Sequence, residues 1–442
     1  DYSGSRGLGD VYKRQVYVDD FKVAAPKSHM TKIWDLIREP GKLPGIRIDD
    51  PTAPAMFLGC QHRLTEVDCK HAPGGKIRLM EYDMQNQLQS AIDLYKEIVT
   101  DAAPLKQVKT PFRSAGNRHL AAQPVTTGTW LRCPWCKGEF SERAFIKGTG
   151  DPTKYDKTAA KKLLDAEDVG PTGGKTDPKT WRKLGERAMR ILMKLLYAAR
   201  IARYDLQKAI NTLGSLVHRW DDECELDLKR LMDYVQSSLN RRQYAWVGDN
   251  IADIKPHLYA DADFASCTRM AKSTNGVHLC LRGQRTYFSL SGTSKRQDCV
   301  SHSTPEAEIV AAAFAIRKEG LPSQFLWQLL LWDPKNHKKD RVIVITFHED
   351  NQTMIRVCET GRNPTMRHLG RTHYVQVSWL KERFKTPELK LQYTPSAKQA
   401  ADIYTKPFDS GTRWDDATRN IAIVDKFHTD ASVTARQLLS LI

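Results

Sequence analysis

An apolar stretch at residues 341–347, with the sequence RVIVITF, constrains the fold of this 442-residue chain more than any other segment. Its centre is nearly all β-branched, as expected of a strand that is covered on both faces in a sheet with parallel neighbours. The stretch runs into Glu349 and Asp350, and functional groups of open α/β sheets lie beyond the carboxyl ends of such strands. The sequence therefore predicts an α/β fold with an acidic site at this strand end.

Other acidic residues interrupt apolar segments on both sides of this strand. Asp261 lies in an alternating, strand-like stretch at residues 257–264, Glu308 in an apolar helical run, and Asp402 among alanines and isoleucine in a short helix. Each of these acids alone is ordinary, because most Asp and Glu residues are solvated or cap helices. The joint pattern of four acids in apolar elements, with Asp350 included, points to a shared site.

Carboxylates at these four positions would repel one another strongly if the fold brought them together without cations. Two Mg²⁺ ions about 4 Å apart resolve this conflict, and such a pair can activate a water and hold a scissile phosphate. Magnesium suits the site because it takes oxygen ligands and keeps several waters, and Mn²⁺ can substitute for it. The acids therefore predict a two-metal centre.

The charge balance favours a polyanionic partner. The sequence has 68 Lys and Arg against 52 Asp and Glu, a formal net charge of +16 at pH 7. Such an excess attracts nucleic acid through counterion release, although basic residues can also serve only to keep a chain in solution. The nine cysteines are mostly isolated, which is typical of a reduced intracellular protein, and no apolar run reaches the roughly 20 residues of a membrane span. We expect a nucleic-acid partner, no membrane association and a cytoplasmic or nuclear location, while the oligomeric state stays open.

The segment at residues 116–180 is rich in Gly, Pro, Lys, Asp and Thr, which predicts a partly disordered insert. It contains Cys133 and Cys136 in a C-x-x-C spacing that suits one half of a zinc site. A tetrahedral site needs two further ligands, and no second cysteine or histidine pair follows nearby. The alternative is a loop without metal.

Helical periodicity is strong at residues 181–220, and a second helix is expected at residues 223–239. Apolar residues also recur at helical spacing from residue 77 to residue 99. Many Arg and Lys residues lie off the apolar stripe of residues 181–220. They form either the solvated face of a helical bundle or a cradle for a nucleic-acid backbone, and the sequence favours neither.

Six motifs resemble the ribonuclease H portion of copia-type long-terminal-repeat retrotransposon polyproteins. They are YADADFA (259–265), TNG (274–276), SKRQDCVSHSTPEAE (294–308), EDNQTMI (349–355), RTHYVQVSWLKERF (371–384) and ADIYTKPF (401–408). The resemblance implies an RNase H-like fold, with a mixed five-stranded sheet flanked by helices. It also implies a set of catalytic metal ligands: Asp261, Glu308, Asp350 and Asp402, with Asp263 and Glu306 as second choices.

Upstream, YVDD at residues 17–20 resembles the polymerase catalytic hairpin of reverse transcriptases. FLG at residues 57–59 and VKTPF at residues 108–112 resemble later parts of the same palm. By this resemblance Asp19 and Asp20 are polymerase metal ligands. The fingers and the first half of the palm would have to precede this point, so we expect reverse transcriptase activity to be lost by truncation.

These patterns divide the chain into six parts. They are a non-native leader (1–15), a truncated reverse transcriptase palm (16–115), the insert (116–180), a helical thumb or connection (181–250), an RNase H-like domain (251–409) and a C-terminal tail (410–442). The expected function is Mg²⁺-dependent endonucleolytic cleavage of the RNA in RNA–DNA hybrids. The alternatives are a catalytically inactive remnant that binds nucleic acid and a nuclease of the same fold that acts on DNA.

Overall fold

The described part of the chain contains one large sheet with helices on both faces and two separate two-stranded sheets. The computed structural model describes residues 13–17, 20–24, 27–38, 50, 52, 55–99, 104–114, 130–132, 139–141, 178–264, 272–331, 342–362, 366, 368–427 and 435–440. The strands are β1 (Lys13–Tyr17), β2 (Asp20–Ala24), β3 (Met56–Phe57), β4 (Cys60–Asp68), β5 (Lys76–Asp83), β6 (Trp130–Arg132), β7 (Glu139–Ser141), β8 (Arg241–Val247), β9 (Lys255–Asp263), β10 (Thr274–Arg282), β11 (Tyr287–Arg296), β12 (Ile345–Glu349), β13 (Leu389–Tyr393) and β14 (Ile423–Asp425). The helices are α1 (Met30–Arg38), α2 (Gln85–Ile98), α3 (Pro178–Ile201), α4 (Gln207–Gly214), α5 (Asp222–Ser237), α6 (Thr304–Ala315), α7 (Leu321–Leu331), α8 (Gln352–Thr360), α9 (Leu369–Thr372), α10 (Val377–Lys385), α11 (Gly411–Asn420) and α12 (Ala435–Leu439).

The large sheet runs in the order β13-β12-β9-β10-β11-β8-β5-β4-β3, and β14 also pairs with β8. Strands β9, β10 and β11 form an antiparallel meander. Strand β12 lies parallel to β9, and β13 lies parallel to β12. The portion from β13 to β11 is the mixed five-stranded arrangement that the resemblance implies, so the predicted α/β, RNase H-like fold class is confirmed.

Alternate side chains of β9 enter two different cores, one on each face of the sheet. Leu258 and Ala260 pack with Ile309 of α6 in the core that also contains α8 and α10. Tyr259 belongs to the larger core on the other face, which α3, α5 and Trp414 of α11 help to form. Every residue of β12 is buried. The strand begins later than the expected stretch at 341–347, because its ladder with β13 runs from Ile345 to Glu349. It is therefore buried on both faces although it carries Thr346, His348 and Glu349.

Two expected helices differ from the observed elements. The periodicity at residues 77–99 spans a strand and a helix, because β5 is paired with both β4 and β8 and only α2 is helical. The helix expected at residues 181–220 ends at Ile201 in α3. There the buried side chains of Arg203 and Asp205 bond to each other, and the chain turns through a 3₁₀ segment, Tyr204–Leu206, into α4. Local periodicity does not indicate these tertiary contacts, so it could not predict where the helices begin and end.

The sheet continues across the predicted domain boundaries, since β8 pairs with β5 and with β11. The predicted tail also joins this body, because Trp414 of α11 is fully buried and β14 pairs with β8. The six-part division of the chain remains a prediction. Among the described residues, no helix combines the length and the apolar character that a membrane crossing requires.

Candidate metal centre

The four acids chosen from the sequence meet at one edge of the sheet. Asp261 lies in β9 and Asp350 directly follows β12, and the carboxyl ends of these parallel neighbours lie side by side. Glu308 comes from α6, which packs on β9, and Asp402 comes from a 3₁₀ helix, Ala400–Tyr404. The fold therefore converges four separate elements on one point.

Ligand oxygens of these acids lie close enough to share cations. Asp261, Asp350 and Asp402 form one group and Glu308, Glu349 and Asp350 form a second, with the oxygens of each group within 4.8 Å of one another. Asp350 belongs to both groups. This arrangement has the form of two adjacent cation sites with one shared ligand, which we call the acid cluster.

A glycine permits the close approach that brings Asp402 to this edge. Gly276 of β10 pairs with Asp261 of β9. A Cβ atom at this position would lie 2.6 Å from Cγ2 of Thr405 and 2.7 Å from the carbonyl oxygen of Ala401. Because real side chains do not approach so closely, only glycine lets the 3₁₀ helix sit against the sheet.

Three carboxylate oxygens of the acid cluster are buried without a hydrogen-bond partner among the described residues. They are Oε2 of Glu308, Oε2 of Glu349 and Oδ1 of Asp402. Leaving a buried polar atom unsatisfied costs about 1–3 kcal/mol, and more for a charged group. Three such atoms in one place mark a site that a cation would complete.

Burial dominates the electrostatics of the cluster. It raises the pKa of Asp402 to about 8, and repulsion from Asp261 adds to the effect. Burial also raises the pKa values of Asp261, Glu308 and Glu349, with neighbouring carboxylates as further causes. These groups resist ionising together unless positive charge is supplied.

Lys406 supplies part of that charge. Its Nζ lies 2.7 Å from Oδ2 of Asp402 and 3.6 Å from Oδ1 of Asp261. Burial opposes the charged form of Lys406, but the attraction of Asp261 and Asp402 outweighs it and raises the pKa of the lysine. Thr405 donates from Oγ1 to the other oxygen of Asp261. One ammonium group faces at least four carboxylates, so the cluster keeps a deficit of positive charge.

Sequence reasoning missed Glu349 as a member of the cluster. Its side chain is fully buried, Oε1 accepts a hydrogen bond of 3.0 Å from the backbone N–H of Asn351, and Oε2 is the unpartnered atom. Side chains of neighbouring residues in a strand point to opposite faces, so the sequence predicts that only one of Glu349 and Asp350 faces the site. Because β12 ends at Glu349, Asp350 is free of that alternation and both acids face the site. Two adjacent acids at the end of a buried strand were the available signal.

The second-choice acids lie in other environments. Oδ2 of Asp263 accepts from Nζ of Lys208 at 2.6 Å, and its Oδ1 accepts from the backbone N–H of Thr274 at 2.5 Å. Ser303 caps α6, but the carboxylate of Glu306 faces histidines rather than the acid cluster. Neither Asp263 nor Glu306 belongs to the two groups that share Asp350.

The other candidate residues lie largely outside the described residues. Strands β1 and β2 form the expected hairpin, with Tyr17 paired to Asp20, but Asp19 and the side chain of Asp20 are not described. Strands β6 and β7 also pair, and Cys133 and Cys136, which fall between them, lie outside the described residues. The polymerase and zinc assignments for these residues remain predictions.

The donor set of the acid cluster fits magnesium. All its candidate ligands are carboxylate oxygens, which hard divalent cations prefer, and the three unpartnered oxygens provide places for coordination. Softer metals favour nitrogen and sulfur donors, which the two groups lack. Mg²⁺, or Mn²⁺ in its place, therefore agrees with the residues present.

Comparison with known proteins shows similarity to transposon polyproteins. The chain is 26% identical over 232 residues to the retrovirus-related Pol polyprotein from transposon RE1 of Arabidopsis thaliana, and 26% identical over 213 residues to that from transposon TNT 1-94 of Nicotiana tabacum. These matches cover 52% and 48% of this chain but only 14% of each relative. The sequence resemblance to retrotransposon polyproteins is confirmed, and the matched part is a small share of those relatives.

Two other comparisons complete this picture. No protein-family model matches the chain. Among solved structures, LC11-RNase H1, isolated from compost by a metagenomic approach, matches with a TM-score of 0.23 and 16% identity over 34% of this chain and 92% of that protein.

Proposed function

We propose that this homologue of transposon Pol polyproteins is a Mg²⁺-dependent ribonuclease H, which cleaves the RNA strand of RNA–DNA hybrids endonucleolytically. The convergence of Asp261, Glu308, Asp350 and Asp402, four acids distant in sequence, carries the proposal. The RNase H-like strand order around them supports the reaction class. The net charge of +16 supports a nucleic-acid substrate.

The chain's own carboxylates would hold two cations. Asp261, Asp350 and Asp402 would bind one, Glu308 and Glu349 would bind the other, and Asp350 would be shared. Bound Mg²⁺ supplies Lewis acidity toward a phosphodiester and lowers the pKa of an attacking water. The protein's part is to fix these oxygens before substrate arrives, which four separate backbone elements do.

Lys406 has a distinct role in the proposed reaction. Its ammonium group contacts Asp402 and Asp261 and is 38% exposed, so it can reach an incoming phosphate from the edge of the cluster. When cations neutralise the carboxylates, the lysine is no longer needed there and can pair with the nucleic-acid backbone. Strand choice would follow from the shape of the hybrid and the 2′-hydroxyl groups of RNA.

We further propose a copia-type origin, with residues 16–115 as part of a reverse transcriptase palm and Asp19 and Asp20 in its catalytic hairpin. The β1–β2 hairpin supports this assignment, because the YVDD motif spans its turn. A reducing compartment, cytoplasm or nucleus, agrees with a nucleic-acid substrate of this kind.

Cleavage of labelled substrates by the full chain tests the proposal. RNA–DNA hybrid, duplex DNA and duplex RNA of one sequence should be offered in Mg²⁺, with each strand labelled in turn. We expect cutting of the RNA strand of the hybrid alone, and no cutting by Asp350→Asn, which controls for contaminating nucleases. Asp416→Asn is the matched control, because Asp416 lies on α11 with 65% of its side chain exposed.

Other outcomes would select the alternatives. Tight binding of the hybrid without cleavage in Mg²⁺ or Mn²⁺ would identify an inactive nucleic-acid-binding remnant. Preferential cutting of duplex DNA would identify a DNA nuclease of the same fold. Cutting that persists in Asp350→Asn would remove the acid cluster from the reaction.

A further inference from the structure

A second group of metal-binding side chains lies at the start of α6, beside but separate from the acid cluster. Ligand atoms of His302, Glu306 and His368 all lie within 4.8 Å of one another. His373 is not a member of this group, but its Nε2 lies 3.4 Å from Oε1 of Glu306. Oε1 of Glu306 also lies 3.2 Å from Nε2 of His368. Three imidazoles therefore surround one carboxylate, an arrangement that we call the histidine cluster.

The inner half of the histidine cluster is buried and incompletely satisfied. The side chains of Glu306 and His373 are each only 2% exposed. Nε2 of His373 is buried without a hydrogen-bond partner among the described residues, although it points at the carboxylate of Glu306. A buried imidazole nitrogen normally has a hydrogen-bond partner, so Nε2 of His373 is available to bind a metal ion.

The outer half of the cluster is open to solvent. His302 is exposed, and the side chain of His368 is 35% exposed. Their rings meet edge to face with centroids 5.2 Å apart. A cation could therefore enter between His302 and His368 and reach the buried pair.

The donor chemistry selects a different metal from that of the acid cluster. Two imidazole nitrogens and one carboxylate oxygen lie within 4.8 Å of one another, and the imidazole of His373 lies beside the same carboxylate. Imidazole and carboxylate donors of this kind hold Zn²⁺, which takes four ligands. Mg²⁺ prefers oxygen ligands and keeps several waters, so a histidine-rich site discriminates against it. Hydrogen bonding among these side chains satisfies Glu306, whereas Nε2 of His373 makes no hydrogen bond and has only its 3.4 Å approach to Oε1 of Glu306.

We propose that His302, Glu306, His368 and His373 form a zinc site. The metal would join the first turn of α6 to the segment that contains α9, and so fix two parts of the chain that are more than 60 residues apart, as the His368–Glu306 separation shows. Glu306 and Glu308 lie on the same helix, so the zinc site would also anchor the element that carries Glu308.

Zinc binding by the full chain tests this proposal. Affinity should be measured by competition with a chromophoric chelator, and ligand type by the absorption spectrum of the Co²⁺-substituted chain. His302→Gln is the main variant, because an exposed ligand can be replaced without disturbing the core. His373→Gln probes the buried half, and His218→Gln, at an exposed position in the 3₁₀ helix Val217–Arg219, is the matched control.

Two further variants separate this site from competing ones. Cys133→Ser with Cys136→Ser removes the thiolates, and Asp350→Asn disables the acid cluster. We expect zinc binding to survive both changes, and the Co²⁺ spectrum to show tetrahedral bands without thiolate charge transfer. His302→Gln should weaken zinc binding by about 10–100-fold, a loss seen even for residues behind metal ligands.

The thermal midpoint provides a readout that does not depend on nuclease activity. Zinc should raise the unfolding temperature of the wild type and of His218→Gln, and should raise it less in His302→Gln. Equal zinc affinity and equal stabilisation in wild type, His302→Gln and His373→Gln would overturn the proposal. Loss of zinc binding in the cysteine double variant alone would overturn it as well.

Discussion

The buried carboxylate of Asp205 and the buried carboxylates of the acid cluster have opposite electrostatic environments. Asp205 is fully buried, and both of its oxygens are satisfied, by Nε and Nη2 of Arg203 at 2.9 and 2.8 Å and by the hydroxyl of Tyr234 at 2.8 Å. Burial alone would raise the pKa of Asp205, but the attraction of Arg203 outweighs it and lowers the pKa. The indole N–H of Trp414 donates in turn to Tyr234. This network is closed and needs nothing from outside the protein.

The acid cluster is the open counterpart of that network. Glu308, Glu349 and Asp402 each keep a buried oxygen without a partner, and burial raises their pKa values. An evolved fold retains such a cost where a ligand offsets it. Both the structural carboxylate Asp205 and the carboxylates of the acid cluster are thus buried. They differ in that Arg203 fully pairs with Asp205, whereas the acid cluster keeps oxygens without a partner.

The largest expected effect is the loss of catalysis when the acid cluster is disrupted. Asp350→Asn removes the ligand that both groups of the acid cluster share, so hybrid cleavage should fall by about a thousandfold or more, the scale of several kcal/mol of transition-state stabilisation. Single-turnover cleavage in saturating Mg²⁺ measures this loss. Asp416→Asn should cleave like the wild type, and near-normal cleavage by Asp350→Asn would contradict the shared role.

The closed network predicts a loss of stability instead. Asp205→Asn leaves the guanidinium of Arg203, which is 1% exposed, buried without its counter-ion. Removing one partner of a buried pair costs about 3–5 kcal/mol in the free energy of unfolding. Urea unfolding measures this loss, and Asp350→Asn should show none because it relieves repulsion. Equal destabilisation by the two variants would show that the contrast is unfounded.

A smaller effect on cleavage is expected from a change at Gly276, which lets the 3₁₀ helix with Asp402 approach the sheet. Gly276→Ala introduces a Cβ atom 2.6 Å from Cγ2 of Thr405, and the 3₁₀ helix must move to relieve the contact. Overpacking of this kind costs about 1–3 kcal/mol, and the shift of Asp402 should lower cleavage by about tenfold. Gly214→Ala is the matched control, because no atom lies within 4 Å of its added Cβ. Unchanged cleavage in Gly276→Ala would separate the glycine from the site.

The smallest expected effect is a pH dependence of the metal-free chain. The pKa of Asp402 rises from 3.8 to about 8 on folding, so the folded chain binds more protons than the unfolded chain between these values. The stability that Asp402 contributes is therefore fully present in acid and is lost as the pH rises from about 4 to about 8. Thermal unfolding in a chelator at a series of pH values measures the slope. Asp402→Asn should reduce it, and a slope that Asp402→Asn leaves unchanged would assign the effect to other groups.

Much of the metal centre could be predicted from the sequence, because Asp261, Glu308 and Asp402 interrupt apolar segments and Asp350 directly follows a strand. Asp261 interrupts an alternating strand, and Glu308 interrupts an apolar helix that a serine cap begins. Local periodicity is sufficient where an element buries one recognisable face.

The remaining features depend on contacts that no local pattern contains. Asp263 is paired with Lys208, which lies 55 residues earlier, and the sequence does not indicate this partner. The approach of Ala401 to Gly276 and the pairing of β8 with β5 likewise join distant segments. The histidine cluster joins His302 to His368 and His373 in the same way. His302, Glu306 and His373 lie in motifs that had already been assigned to the RNase H resemblance, and His368 lies just before the last of these.

Electron paramagnetic resonance of the full chain with Mn²⁺ and an RNA–DNA hybrid tests the central claim most directly. If Asp350 joins two cation sites, saturating Mn²⁺ should give the spectrum of a spin-coupled pair in the wild type and in Asp416→Asn. Asp350→Asn should lose that coupling. Only isolated Mn²⁺ ions in the wild type, at full occupancy and with hybrid bound, would contradict a two-metal centre built on Asp350.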